Sequence, residues 1–251
     1  MRAVLLIGGT DSSGGAGLVR DVYTLAQLDT GALCAVTAVT VQTDTRLEGI
    51  HAVPPAIVSA QIAAALTNAQ LGAVKIGMLG SAAVVRAVAS GLAASSLPVV
   101  LDPVLAASAG GSLLAQDGRQ ALLEYLLPRV TVLTPNIPEA AALLSLPPAQ
   151  EEGALLGQAQ ALLARGAAAV LLKGGHGTGA QATDYLVRAG RAPQLLRAAR
   201  APHALRGTGC ALATAVAAGL AAGLELGEAC VRAKHYVTGR FQQAEARGVS
   251  Q

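Results

Sequence analysis

Aromatic side chains are nearly absent from this sequence, with no Trp, one Phe and four Tyr among 251 residues. Charge is scarce as well. Only 13% of the residues are charged, the formal net charge is +3, and the Lys and Arg residues form no block. A nucleic-acid surface ordinarily needs a clustered basic stripe, often with aromatics on which bases stack. Neither is present, so no nucleic-acid partner is expected. Cysteine is sparse: Cys34, Cys210 and Cys230 form no CxxC pair and no Cys/His cluster with zinc spacing. A disulfide framework and a structural zinc site are thereby excluded, and a reducing compartment is expected. No signal-peptide pattern precedes the first apolar run, Ala3 to Ile7, so the expected location is the cytoplasm. The one long uncharged stretch, Gly207 to Leu224, is mostly Ala, Gly and Thr. It is too weakly apolar for a membrane span and reads as a buried helix.

What is abundant is small and aliphatic. Hydrophobic residues make up 53% of the chain, which argues for a large packed core and against disorder. Short apolar runs alternate with longer helical stretches. Strands are predicted at Ala3–Ile7, Ala32–Val41, Glu48–Val53, Ala73–Ile76, Val99–Leu101, Val130–Leu133, Ala168–Leu172, Thr183–Val187 and Gln194–Ala199. Helices are predicted at about Gly15–Leu28, Ala56–Asn68, Ala82–Leu92 and Leu113–Leu126, from Pro138 to near Leu146, and at Ala154–Arg165, Cys210–Leu224 and Glu228–Ala244. This alternation predicts parallel βαβ units. The fold class is α/β: a three-layer α/β/α sandwich with a mostly parallel central sheet, as one domain over residues 1–251.

No Walker A motif occurs. A Rossmann-like match, Gly175 to Ala180, follows a strand, but the residues after it alternate like another strand. That context is wrong for a dinucleotide fingerprint, and the segment reads as a flexible loop.

Five other segments carry chemistry. Arg206-Gly207-Thr208-Gly209-Cys210 stands directly before a long helix. Amides at a helix N-terminus beside glycines make an anion site, and a thiol there is expected to have a lowered pKa. The same segment also reads as a glycine turn capped by Thr208 with a buried structural cysteine. Gly8 to Gly17 (GGTDSSGGAG) follows the first strand, where open α/β sheets bind ligands; it also reads as a turn capped by Asp11 or Ser12. Asp102 ends a strand. Asn136 and Glu139 follow another, suited either to hold hydrated Mg²⁺ beside phosphates or to form a capping box. Lys173 ends a further strand and points either at phosphate or into water.

Taken in order, these segments resemble the hydroxymethylpyrimidine/phosphomethylpyrimidine kinases, a branch of the ribokinase-like superfamily. The matching blocks are GGTDSSGGAG, TAVTVQTDT, AVKIGML, VLDPVLAASAG, TPNIPEA, LLKGGH and RGTGCAL, spread over nearly the full chain. The resemblance implies an ATP-dependent kinase of thiamine biosynthesis. Its acceptor would be 4-amino-5-hydroxymethyl-2-methylpyrimidine, the monophosphate of that alcohol, or both. It implies that Gly207, Thr208, Gly209 and Cys210 form the anion hole for the moving phosphoryl group, with Cys210 as base. Gln42 would bond the aminopyrimidine edge, and Gly9, Ala16, Met78 and Val104 would shape the ring pocket. Asn136 and Glu139 would organise Mg²⁺–ATP, Asp102 and Glu139 would face the metal, and Lys173 would contact nucleotide phosphate. A small-molecule partner is implied, no membrane partner, and a homodimer is allowed.

The chain departs from the family pattern at a few points. Arg206 stands where His is usual, Ala211 where Thr is usual, and Thr43-Asp44 where Asn-Thr is usual. Thr40 replaces a common aliphatic residue. Arg206 is expected either to reach toward phosphate and favour the phosphorylated acceptor, or to point to solvent or pair with a nearby acid. Two rival functions are compatible with the same residues: a pyridoxal- or pyridoxine-type kinase, and a non-catalytic vitamin-binding module.

Overall fold

The computed structural model describes residues 2–107, 110–175, 179–202 and 205–246. Among these residues one sheet of nine strands runs through the molecule in the order β3-β2-β1-β4-β5-β6-β7-β8-β9. The strands are β1 (Ala3–Asp11), β2 (Gly31–Gln42), β3 (Leu47–Ala52), β4 (Leu71–Ile76), β5 (Val99–Leu101), β6 (Val132–Leu133), β7 (Ala169–Leu172), β8 (Gln181–Arg188) and β9 (Gln194–Ala199). From β2 through β7 neighbouring strands are parallel. Antiparallel pairing is confined to β3 at one edge and to β8 and β9 at the other.

Period-two alternation divides the core in two. On β1, Ala3, Leu5 and Ile7 point to one side and Val4 and Leu6 to the other. The first side is covered by α2 (Pro55–Leu66), α3 (Ala82–Gly91), α5 (Ile137–Leu144) and α6 (Glu152–Ala164), with α4 (Gln116–Ala121) beside them. The second side is covered by α1 (Gly17–Gln27), α7 (Thr208–Ala221) and α8 (Leu226–Ala246). Strands buried on both faces read as continuous apolar runs because each residue has a helix to pack on. The α7 helix is buried along most of its length and built largely from Ala. Small side chains let it lie close to the sheet without the bulk of aromatics.

Two expected elements differ from the structure. The first strand continues past Ile7 to Asp11, because a register shift at Gly8/Gly9 lets Gly9, Thr10 and Asp11 go on pairing with β2. The helix expected at Leu113–Leu126 begins only at Gln116; Leu122–Leu126 then widens into a π-helical turn and Leu127–Arg129 tightens into a 3₁₀ turn. Pro128 accounts for the end, since it has no N–H to extend the ladder. The Rossmann-like match lies partly outside the described residues. Strand β8 follows it, and no helix opens there.

Candidate active site

The parallel strands all end on one side of the sheet. From β1 the chain builds one side of the sheet with β2 and β3, then crosses back to add β4 on the other flank of β1. Open α/β sheets bind ligands at such a switch point, outside the carboxyl ends of the strands. A cleft of about 1280 Å³ lies there. Pockets for one small ligand run to about 300–1,000 Å³, so this cleft has room for two small molecules side by side. Every residue to which the resemblance gave a site role lines it: Gly9, Ala16, Gln42, Met78, Asp102 and Val104 from the first half of the chain, and Asn136, Glu139, Lys173 and Gly207 to Cys210 from the second. A smaller hollow beside Pro147 and Pro148 lies apart from them.

The floor of the cleft is the start of α7. Its N-cap is Gly207, with φ 70° and no side-chain cap, so the reading of Thr208 as the cap is corrected: Thr208 is already in the first turn. Gly207 is required twice over. Its backbone is left-handed, and a Cβ would collide with the Gly15 carbonyl. The helical ladder starts with Ala211 N–H on Gly207 O. The amides of Thr208, Gly209 and Cys210 therefore stand outside the ladder, at the positive end of the helix dipole. A Cβ at Gly209 would lie 3.2 Å from Lys173 Nζ, so this amide cradle and that ammonium face one another.

The apolar wall is a small cluster of its own. Ala38, Met78 and Leu113 pack with Leu47, Val104 and Ala107, separate from the two main cores. Gly9 lets Met78 in: a Cβ at Gly9 would stand 2.9 Å from the Met78 sulfur. Thr37 Oγ1 donates to Met78 O at 2.6 Å and fixes that segment. Gln42 closes β2 at the rim, half-buried. Its backbone is held to Ser12 in both directions, each at 2.8 Å, and its side-chain Oε1 accepts a long bond from Thr40 Oγ1 at 3.5 Å, at the edge of the cleft.

On the opposite side Asp102, Glu139 and Lys173 meet. Lys173 Nζ is 2.7 Å from Asp102 Oδ1 and 3.7 Å from Glu139 Oε2. Burial would lower the lysine's pKa, but the two carboxylates outweigh it and hold the ammonium charged above the ordinary lysine range. Glu139 is pushed up by burial against the opposing pull of Lys173. Asn136 and Glu139 form a full capping box on α5: Glu139 N–H donates to Asn136 Oδ1 at 2.8 Å, and Asn136 N–H donates to Glu139 Oε2 at 2.7 Å. Lys173 thus sits on carboxylates at the cleft wall, facing the amide cradle, and does not extend into water.

Among the described residues no group of three or more His, Cys, Asp or Glu side chains could hold a metal. Two carboxylates on one wall still suit Mg²⁺, which keeps several waters and takes one or two carboxylates together with substrate phosphates.

Cys210 departs from expectation. Burial pushes its thiol up to about 12, further than Lys75 and the Gly17 N–H pull it down. The expected lowering at the helix N-terminus is overturned, because the thiol is desolvated and lies near the negative charges of Asp102 and Asp21. The Lys75 beneath it was not singled out from the sequence. Lys75 Nζ is 2.7 Å from Asp21 Oδ2, both side chains are 1% exposed, and Thr214 Oγ1 donates to Asp21 Oδ1 at 2.7 Å. Burial pushes the Asp21 carboxyl up even beside Lys75, and the Lys75 ammonium is held charged because Asp21 outweighs its own burial. A lysine inside an otherwise apolar, fully buried strand was the signal available for this pair.

Asp11 caps the glycine turn, as one reading of the sequence expects, whereas Asp184 was missed as an organiser. Asp11 accepts from the Ser13 and Ala16 amides, each at 2.9 Å, and so folds the glycine loop. Asp184 accepts from the Gly174 amide at 2.9 Å and from Lys234 at 2.8 Å, which fixes the backbone just beyond Lys173. Arg206 lines the cleft, and its guanidinium pairs with Asp11 and Asp44, as the second reading of this residue expects.

Comparison with known proteins finds relatives that span nearly the whole chain. A family model described as phosphomethylpyrimidine kinase matches residues 11–250. A hydroxymethylpyrimidine/phosphomethylpyrimidine kinase of Rhizobium meliloti is 38% identical over 252 residues, covering 100% of this chain and 95% of that protein. Among solved structures, the phosphomethylpyrimidine kinase of Clostridium difficile superposes with a TM-score of 0.83 at 30% identity, over 96% of this chain and 99% of that one. The pyridoxal kinase of Staphylococcus aureus, solved with AMP-PCP and pyridoxal, gives 0.85 at 29% identity, over 94% of this chain and 86% of that one.

Proposed function

The chain belongs to the phosphomethylpyrimidine kinase family, and from that premise we propose that it transfers the terminal phosphoryl group of ATP to the hydroxymethyl arm of an aminopyrimidine, to the monophosphate of that alcohol, or to both. The observation that carries the proposal is the juxtaposition in one cleft of the free amides of Thr208, Gly209 and Cys210 with Lys173 on one side and an apolar slot ending in Gln42 on the other.

Phosphoryl transfer asks mainly for positioning and for charge stabilisation. The three amides receive the phosphoryl oxygens, and Lys173, 3.2 Å from where a Gly209 Cβ would be, adds positive charge. Asp102 and Glu139 would hold Mg²⁺ through its water shell, and the ion when bound neutralises phosphate charge. Met78 and Val104 sandwich the ring and exclude water, while the Gln42 amide both donates to and accepts from the aminopyrimidine edge. The acceptor oxygen bonds to phosphorus as the bond to the leaving diphosphate breaks. Its proton passes to the Cys210 thiolate and from there to solvent. Cellular location in the cytoplasm fits such a small-molecule enzyme, and among the described residues no helix is long and apolar enough to cross a membrane.

Pyridoxal kinases share the fold, so a pyridoxal-type acceptor is the nearest competitor. Gln42 distinguishes the two, because burying an aminopyrimidine without its amide partner leaves unpaired polar groups at about 1–3 kcal/mol. The test is kcat/KM for the pyrimidine alcohol and for pyridoxal, in the native enzyme and in Gln42→Leu. We expect a native preference for the pyrimidine that Gln42→Leu cuts by roughly 5–150-fold with ATP KM unchanged. A native preference for pyridoxal, or an effect of Gln42→Leu on ATP alone, contradicts the assignment. The binding-module reading requires no turnover with any of these acceptors.

A further inference from the structure

Arg206 stands one residue before the amide cradle, yet its guanidinium serves other segments. Nη1 donates to Ser13 Oγ at 3.0 Å, to Asp44 Oδ1 at 2.8 Å and to the Thr43 carbonyl at 3.3 Å. Nη2 donates to Asp11 Oδ2 at 3.2 Å. Asp11 and Ser13 belong to the end of β1 and the glycine loop; Thr43 and Asp44 form the turn between β2 and β3. Gly15 makes room for the contact, since a Cβ there would lie 2.9 Å from Nη1. One cation therefore holds two anions that come from different segments, and all of them border the cleft.

The two halves of this contact differ in exposure. Asp11 is 3% exposed and Arg206 14%, whereas Asp44 is 61% exposed. The Arg206–Asp11 half is fixed in the interior. The Arg206–Asp44 half faces water, so it is weak, screened by salt and the first to part. What it controls follows from sequence. Gln42 lies two residues before Asp44, and its backbone is already tied to Ser12 on the same seam. The Arg206 contacts with Thr43 O and Asp44 join the β2–β3 turn to the glycine loop within two residues of Gln42.

We propose that Arg206, acting through Asp44, is a positioning residue that sets the affinity for the pyrimidine by latching the β2–β3 turn over its pocket. The inference rests on the aminopyrimidine reading given above. Lysine does not substitute for arginine here, because one ammonium is a point charge and cannot fork between Asp11 and Asp44.

The experiment measures pyrimidine KM, ATP KM and kcat for the native enzyme, Asp44→Asn and Arg206→Lys at low and high ionic strength, with amide hydrogen exchange of residues 43–46 in the free protein. Asp44→Asn keeps the side chain's shape and leaves the buried half of the contact in place. We expect it to raise pyrimidine KM about two- to fivefold, with ATP KM and kcat unchanged, and to quicken exchange of residues 43–46. Arg206→Lys raises the same KM in the same way. Native pyrimidine KM rises between about 0.05 and 0.5 M salt, and that of Asp44→Asn does not. An unchanged pyrimidine KM in Asp44→Asn, or an equal rise in ATP KM, overturns the latch while pyrimidine turnover by the native enzyme upholds the substrate reading. Absence of pyrimidine turnover in the native enzyme overturns the substrate reading; in that case unaltered exchange of residues 43–46 in Asp44→Asn overturns the latch as well.

Discussion

Cys210 carries the sharpest consequence at the scale of single residues. Its thiol is pushed up to about 12 by burial, so at neutral pH the thiolate is a small minority form. A base must be deprotonated to act. With the pKa far above the working pH, the rate of the chemical step should rise with pH, approaching tenfold per unit, and reach no plateau between about pH 6 and 9. Single-turnover rates across that range check this, and a flat profile would remove the thiolate from the mechanism. Cys210→Ser should slow the step by about 10²–10⁴-fold while ATP binding persists. Spacing alone placed this thiol at a helix N-terminus correctly. It could not reveal that Asp21 and Asp102, 189 and 108 positions away in the chain, would converge on it and that desolvation would outweigh the dipole. Lys173 teaches the same lesson: a strand-end lysine was legible, but not the carboxylates it would meet.

The Asp21–Lys75 pair acts between elements, tying α1 to β4 beneath the cleft, with Thr214 of α7 bonded to the same carboxylate. Removing one partner leaves an uncompensated buried charge, at about 3–5 kcal/mol. Lys75→Met should lower the thermal midpoint by roughly 2–4 °C per kcal/mol in a chain of this size. The double variant Lys75→Met/Asp21→Leu should regain most of the loss, because a well-packed apolar pair needs no compensation. Equal melting of the native protein and Lys75→Met would mean that the pair contributes nothing to the fold. Elements themselves were readable because apolar periodicity is local: each expected strand and helix has its counterpart, with ends displaced by a few residues. The exceptions have local causes the pattern does not encode. The β1 extension depends on a register shift against β2, and the π-helical turn after α4 precedes Leu127 and Pro128, where the helix tightens and stops.

Across the whole molecule the site is a product of topology. Six parallel strands end on one side, and segments as distant as Gly9 and Cys210 are delivered to a single cleft. The sequence reading reached these residues through the order of seven short blocks. It missed the Asp184–Lys234 pair, which holds the backbone beyond Lys173 in place, because a supporting ion pair has no spacing signature of its own. The central claim is that this cleft phosphorylates a hydroxymethyl-aminopyrimidine. It is tested most directly by offering the alcohol and its monophosphate separately with ATP and Mg²⁺, and weighing the products by mass spectrometry. The account predicts a product heavier by one phosphoryl group from at least one of the two, with ADP formed in equal amount. Unchanged masses for both acceptors, from a folded protein that binds ATP, would contradict it.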